Sequence, residues 1–194
     1  VRRSLDAGLV LRFGHAGPAD KNRSKKGTRS MIRDAVPADF RAILELNAES
    51  VHFLSPLTAE RLDLLHRMAT YHKVVEEGGA VAAFLLAFRE GADYDSANYA
   101  WFAGRYPEFL YIDRIVAAPV SRGRGFAAML YDDIIAFASR SGALPLTCEF
   151  DLDPPNPASM RFHARMGFSE VGTQWLYGGT KQVSMQARSS GERV

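Results

Sequence analysis

Arg122-Gly123-Arg124-Gly125-Phe126-Ala127 sets two arginines and two glycines just ahead of an amphipathic helix. Those residue types at that spacing make an anion cradle: a helix N-terminus presents unpaired N–H groups and the positive end of its dipole. Glycine admits positive φ and lets a ligand approach the main chain, and arginine adds bidentate phosphate donors. The ligand expected there carries a diphosphate or its equivalent. A second group of reactive side chains lies close by in sequence. Asp113 and Arg114 interrupt an apolar strand on opposite faces, a costly placement unless the charges are paired or used, with Asp113 sharing a face with Tyr111 and Ile115. Glu149 and Asp151 alternate to one side of the next strand. Ser159 and His163, four apart, share one face of a short helix.

The elements that must position these groups follow from periodicity. A strand at 31–34 precedes a helix opened by Pro37, with Phe40, Ile43, Leu44 and Leu46 at helical spacing. Residues 47–56 read as a loop, and Thr58 caps a second helix striped by Leu62, Leu65, Met68 and Ala69. Strands at 72–77 and 80–89 meet at Gly78-Gly79, a hairpin signal. Residues 90–108 are polar and aromatic by turns and too long for a mere connector, so they are expected to wall a substrate site. A strand at 109–117 feeds the glycine turn, and the helix beyond it stops at Gly142. A short strand at 146–150 is followed by a helix over 158–166, closed by Gly167. Strands at 169–177 and 181–187 then join through Gly178-Gly179. Asn156 before Pro157 is an N-cap with proline at the first helical position.

Composition limits the function class. The 194 residues are 47% hydrophobic, enough for one core and one α/β domain. Apolar runs such as 80–88 fall far short of the roughly 20 residues that span a bilayer. One cysteine, Cys148, and five histidines give neither a disulfide framework nor metal-ligand spacing, so no metal is expected and a reducing, cytoplasmic compartment fits. Cys148 itself reads as a small buried strand residue. The net charge of +2 conceals a basic start: residues 1–30 hold eight basic and two acidic residues, leaving a net negative remainder. We expect 1–30 to be a basic, disordered extension, 31–188 to form the single folded domain and 189–194 to be a C-terminal tail.

Gly123-x-Gly125-x-x-Ala128 also satisfies a dinucleotide fingerprint, with Glu149 near the distance of a ribose-binding acid. Against that reading, Ala118-Pro119-Val120-Ser121 separates strand from turn, and too little chain follows Glu149 to complete a parallel sheet. No Gly-Lys-Ser/Thr ends the segment, which excludes a Walker-type loop. The order β-α-α-β-β-β-α-β-α-β-β, with Ile115-Val116-Ala117 running to the Arg122–Ala127 turn and Asn156, Ser159, Phe162-His163 and Gly167-Phe168 in series, resembles the GNAT superfamily of acetyltransferases over about 31–187. The resemblance implies an α/β (α+β) GNAT fold: a mixed, mostly antiparallel sheet flanked by about four helices.

It implies acetyl-CoA as cosubstrate, held by Ile115, Val116 and Ala117 along the pantetheine arm, by Arg122, Gly123, Arg124, Gly125, Phe126 and Ala127 at the diphosphate, and by Asn156 and Ser159. An N–H near Val116 would polarise the thioester carbonyl, in a splay between the strands at 115–117 and 146–150. The acetyl group would pass directly to a primary amine of a small molecule or peptide. His163 stands where many members have a tyrosine that protonates the departing thiolate, so it is the expected acid, with a structural histidine as the alternative. Asp113 is the first candidate base, Glu149 and Asp151 the second. His52, Glu49, Tyr99 and Trp101 are candidate acceptor contacts, and similar proteins commonly dimerise through their C-terminal strands. Two rivals stay open: a non-catalytic acyl-CoA-binding or sensing module, and a nucleic-acid-binding protein resting on the basic start alone.

Overall fold

The computed structural model describes residues 30–50, 54–121 and 123–189. The basic extension up to residue 29, His52, Arg122 and residues 190–194 of the tail lie outside the described residues. Among the described residues seven strands form one sheet in the order β1-β2-β3-β4-β5-β7-β6. These are β1 (Ser30–Asp34), β2 (Tyr71–Glu77), β3 (Ala80–Arg89), β4 (Leu110–Ala117), β5 (Leu146–Asp153), β6 (Ser169–Leu176) and β7 (Lys181–Arg188). Every neighbouring pair is antiparallel except β4 and β5. The helices are α1 (Phe40–Ala48), α2 (Ala59–Met68), α3 (Ala97–Ala103), α4 (Phe126–Ser141) and α5 (Pro157–Arg165).

Local chemistry sets most of these bounds. Thr58 Oγ1 accepts from the Arg61 amide at 3.1 Å and starts α2. Gly142 ends α4 in the left-handed region at φ 66°. Pro37 opens a short 3-10 turn, Pro37–Asp39, before α1 begins. The stretch expected to wall a substrate site contains a helix that the periodicity did not place: Ser96 caps α3 by accepting from the Tyr99 amide, and Tyr99 and Phe102 pack inward. Strand β5 also runs three residues past the predicted end at 150, because Asp151 and Asp153 still register against Val183 and Gln182 of β7. Among the described residues no helix is long and apolar enough to cross a membrane.

The two faces of the sheet carry different layers. One is covered by α4 and α5: Phe126, Leu130, Tyr131, Ile134 and Phe162 pack with Leu85, Ile112, Ile115 and Cys148. The other is covered by α1, α2 and α3: Ile43, Leu46 and Leu62 meet Phe84 and Val116, and Leu65, Tyr99 and Phe102 meet Phe88 and Tyr111. Burial of these side chains is the main stabilising term, at about 25 cal/mol per Å² of apolar surface.

Candidate functional site

Strands β4 and β5 begin side by side and then part. Leu110 registers with Leu146 and Tyr111 with Thr147, and no further pair forms between them. The remaining lengths of both strands therefore flank a wedge whose main-chain groups are not consumed by a β4–β5 ladder. Ile115, Val116 and Ala117 lie on this part of β4 and pair on its other edge with Leu85, Phe84 and Ala83 of β3. Just beyond β4, after the short turn Pro119–Ser121, comes the glycine segment. Gly123 and Gly125 take φ 76° and 84°, and Gly125 is the N-cap of α4. A Cβ built on either glycine meets nothing within 4 Å. The protein thus needs glycine there for backbone conformation and leaves the space in front of it open. Gly125 supplies no capping side chain, so the first-turn amides of the 16-residue helix, those of Phe126 and Ala127 included, face that space without a side-chain acceptor. Phe126 and Ala127 turn their side chains into the core. An anionic group fits this cradle.

On β4 the register with β3 shifts between Leu86 and Ala87, which oppose Arg114 and Ile112, so Asp113 is an extra, bulged residue. The bulge corrects the expectation that Asp113 and Arg114 point to opposite faces. Asp113 Oδ2 accepts from Arg114 Nε at 2.6 Å, and Asp113 Oδ1 accepts from the Tyr94 hydroxyl. Arg114 Nη1 reaches Asn47 Oδ1 at 2.9 Å, and Asn47 Nδ2 donates to the Ser55 carbonyl at 3.1 Å. The bulge also separates Tyr111, which faces α3, from Ile115, which faces α4. Both Asp113 oxygens are engaged in this buried network, whose surroundings are those of a structural ion pair.

The carboxylates of β5 sit differently. Glu149 Oε1 accepts from Asn98 Nδ2 at 2.9 Å and from the Tyr111 hydroxyl at 3.1 Å. Asp151 is buried, and Lys181 Nζ of β7 pairs with its Oδ1 at 2.9 Å. Burial pushes the Asp151 carboxyl above its ordinary range, with the Lys181 charge opposing.

His163 lies in the core with no exposed surface, not on a polar face. A carbonyl can only accept, so Nδ1, 2.9 Å from the Ser159 carbonyl oxygen, carries the proton. Nε2 then accepts from the Tyr131 hydroxyl at 2.8 Å. The ring stacks on Phe150 at 5.4 Å, and burial lowers its pKa to about 4. It is a neutral imidazole near pH 7. Because the unfolded side chain titrates near 6.5, the stabilisation is complete above that pH and is lost as pH falls towards 4, by up to roughly 3 kcal/mol. Urea unfolding at pH 7 and pH 4.5 should show this loss, and His163→Phe should flatten it; equal slopes for both proteins would contradict it. His72, buried and lowered to about 3, adds to the same slope.

Asn156 caps α5 as expected: its Oδ1 accepts from the Ser159 amide at 3.1 Å, with Pro157 following. Ser159 is wholly buried and Cys148 is a buried strand residue whose thiol burial pushes up. Among the described residues, the acceptor candidates Tyr99, Trp101 and Glu49 do not converge. Tyr99 is buried and uses its hydroxyl on the Arg89 carbonyl and the Ala92 amide. Trp101 lies under the Arg105 guanidinium, 3.6 Å from it, and fills the space where a Gly172 side chain would be. Glu49 is exposed at the rim of a groove of about 460 Å³ between α1, the β2–β3 turn and residues 118–120, which also holds Asp39 and Glu45. The partners that define this site, Tyr94, Asn98, Tyr131 and Lys181, came from no sequence motif, since each contact joins residues at least 19 apart.

The family model described as the acetyltransferase (GNAT) family matches residues 37–168. Among curated proteins no match was found. Solved structures share the fold. Ard1 from Thermoplasma volcanium superposes with a TM-score of 0.68 at 17% identity, covering 84% of this chain and 99% of that one. The ribosomal-protein-S18-alanine N-acetyltransferase from Escherichia coli gives 0.66 at 15%, covering 86% and 97%. Salmonella typhimurium yncA, solved with its cofactor acetyl-CoA, gives 0.64 at 20%, covering 85% and 96%.

Proposed function

The chain belongs to the acetyltransferase (GNAT) family and takes its acetyl group from acetyl-CoA, and from that premise we propose that the acceptor is a primary amine of a small molecule or peptide, attacking the thioester directly. The observation that carries this reading is the parting of β4 and β5 after Tyr111 and Thr147, with Glu149 and Asp151 on β5 beyond the split. In this reading the amides around Gly123, Gly125, Phe126 and Ala127 bind the diphosphate, with Arg122 and Arg124 adding charge. Ile115, Val116 and Ala117 hold the pantetheine arm as an added strand would be held, and an N–H near Val116 polarises the thioester carbonyl. Asn156 and Ser159 fix the start of α5 beside the coenzyme.

Asp151 is the base we assign. Its raised pKa strengthens it as a proton acceptor, and Lys181, 2.9 Å away, holds it as an ion pair. Glu149, already accepting two hydrogen bonds, orders the β5 side of the wedge through Asn98 and Tyr111. Asp113 serves as a structural anion and His163 as a neutral core residue, so neither is given proton transfer. The domain at 31–188 is the catalytic unit. The Escherichia coli neighbour named for an alanine of a ribosomal protein makes a peptide N-terminus a fitting acceptor to try beside polyamines and amino acids.

Thiol release from acetyl-CoA across such an amine panel tests the proposal. Release that saturates with at least one amine is expected. Tight acetyl-CoA binding with no amine-dependent release would replace the enzyme by an acyl-CoA-sensing module.

A further inference from the structure

Arg124 does not hang free at the glycine turn. Its two terminal nitrogens grip both carboxylate oxygens of Glu77, the last residue of β2, and its guanidinium lies 5.1 Å from the centre of the Phe126 ring. Glu77 is the more sequestered partner, with 15% of its side chain exposed against 50% for Arg124. Guanidinium has five N–H donors in a rigid plane, and an end-on carboxylate takes one from each terminal nitrogen. Nε–H and one N–H on each terminal nitrogen are left for a second anion. The pair also bridges distant segments: Glu77 closes β2 beside the β2–β3 turn, while Arg124 sits between the two left-handed glycines that start α4.

We propose that Glu77 is a positioning residue for acetyl-CoA, locking the Arg124 guanidinium so that its remaining donors face a phosphate of the coenzyme. This rests on the placement of the coenzyme phosphates at the glycine turn proposed above. Without Glu77 the arginine would have to be ordered by the ligand itself, at the cost of its side-chain freedom. The effect belongs in coenzyme affinity and not in the chemical step, because Arg124 engages Glu77 and Phe126 whereas the base assigned above, Asp151, pairs with Lys181.

Steady-state kinetics with one amine and three donors, acetyl-CoA, acetyl-dephospho-CoA and acetyl-pantetheine, test it. For Glu77→Ala we expect KM for acetyl-CoA to rise about fivefold with kcat unchanged, and KM for acetyl-pantetheine to stay as in the wild type. Glu77→Asp should recover part of the loss. Arg124→Ala should match Glu77→Ala or exceed it, and the double variant should be no worse than Arg124→Ala alone. A rise kept with acetyl-dephospho-CoA assigns the contact to the diphosphate, and one lost with it assigns the 3′-phosphate. A fall in KM for Glu77→Ala would make Glu77 a competitor of the ligand and overturn the proposal. So would an equal rise with acetyl-pantetheine, or effects of the two variants that multiply. If Glu77→Ala is silent while the wild type strongly prefers acetyl-CoA to acetyl-pantetheine, the positioning role fails and the phosphate site stands. If the wild type has no such preference, the phosphate site fails as well.

Discussion

Asp151→Asn is expected to lower kcat for amine acetylation by about a hundredfold or more while leaving acetyl-CoA affinity close to that of the wild type, the size of effect typical of losing a positioned base. Asparagine keeps the shape of the side chain and leaves Lys181, 2.9 Å away, beside a neutral amide, so packing is nearly preserved while the proton acceptor is gone. The pH profile separates this loss from a structural one. Asp151 must be ionised to act, and burial raises its pKa, so wild-type kcat/KM should fall on acidification through that raised value. In Asp151→Asn this acid limb should vanish. Glu149→Gln should cost less, because Gln can still accept from Asn98 and Tyr111 through its carbonyl oxygen. Asp113→Asn should act mainly on stability, since it leaves the buried Arg114 without its counter-ion. An Asp151→Asn enzyme with an unaltered rate and profile would remove Asp151 from the mechanism.

Gly125→Val should weaken acetyl-CoA binding by roughly 30-fold or more, through two effects that can be measured apart. The first is conformational: a β-branched residue at φ 84° is strained by about 1–3 kcal/mol, which lowers the thermal midpoint. The second acts only on the ligand. A Cβ at this position touches no protein atom within 4 Å, so the added side chain projects into the space in front of the α4 amides. Gly125→Ala pays much of the first cost with less of the second. Calorimetry with acetyl-CoA on both variants, compared with their thermal midpoints, should show Val binding far more weakly than Ala at similar stability. Equal affinities for Val, Ala and wild type would mean that the ligand does not approach this turn.

The parts of the fold that were legible in the sequence are those written in local chemistry. Thr58 before α2, Asn156-Pro157 before α5, Gly142 after α4 and the paired glycines at 78–79 and 178–179 each fix a boundary through neighbours a few residues away. Strand β4 could be seen, but its bulge could not. A bulge exists only relative to the partner strand, and inserting Asp113 against Leu86 and Ala87 changed which side chains share a face, turning a candidate base into a partner of Arg114 and Tyr94. Helix α3 was hidden because its Tyr, Trp and Phe residues have modest helix propensity and gain their stability from packing on Phe88, Phe109 and Tyr111. His163 shows the same limit. Its position in the motif points to acid catalysis, but Tyr131, 32 residues earlier, and Phe150 on β5 make it a neutral core residue.

A crystal structure of the protein with acetyl-CoA tests the central claim most directly. The diphosphate oxygens should lie about 3 Å from main-chain nitrogens between Gly123 and Ala128, with the thioester between β4 and β5 on the Asp151 side. Density for the diphosphate in the groove beside α1, or a thioester outside the wedge, would contradict the account.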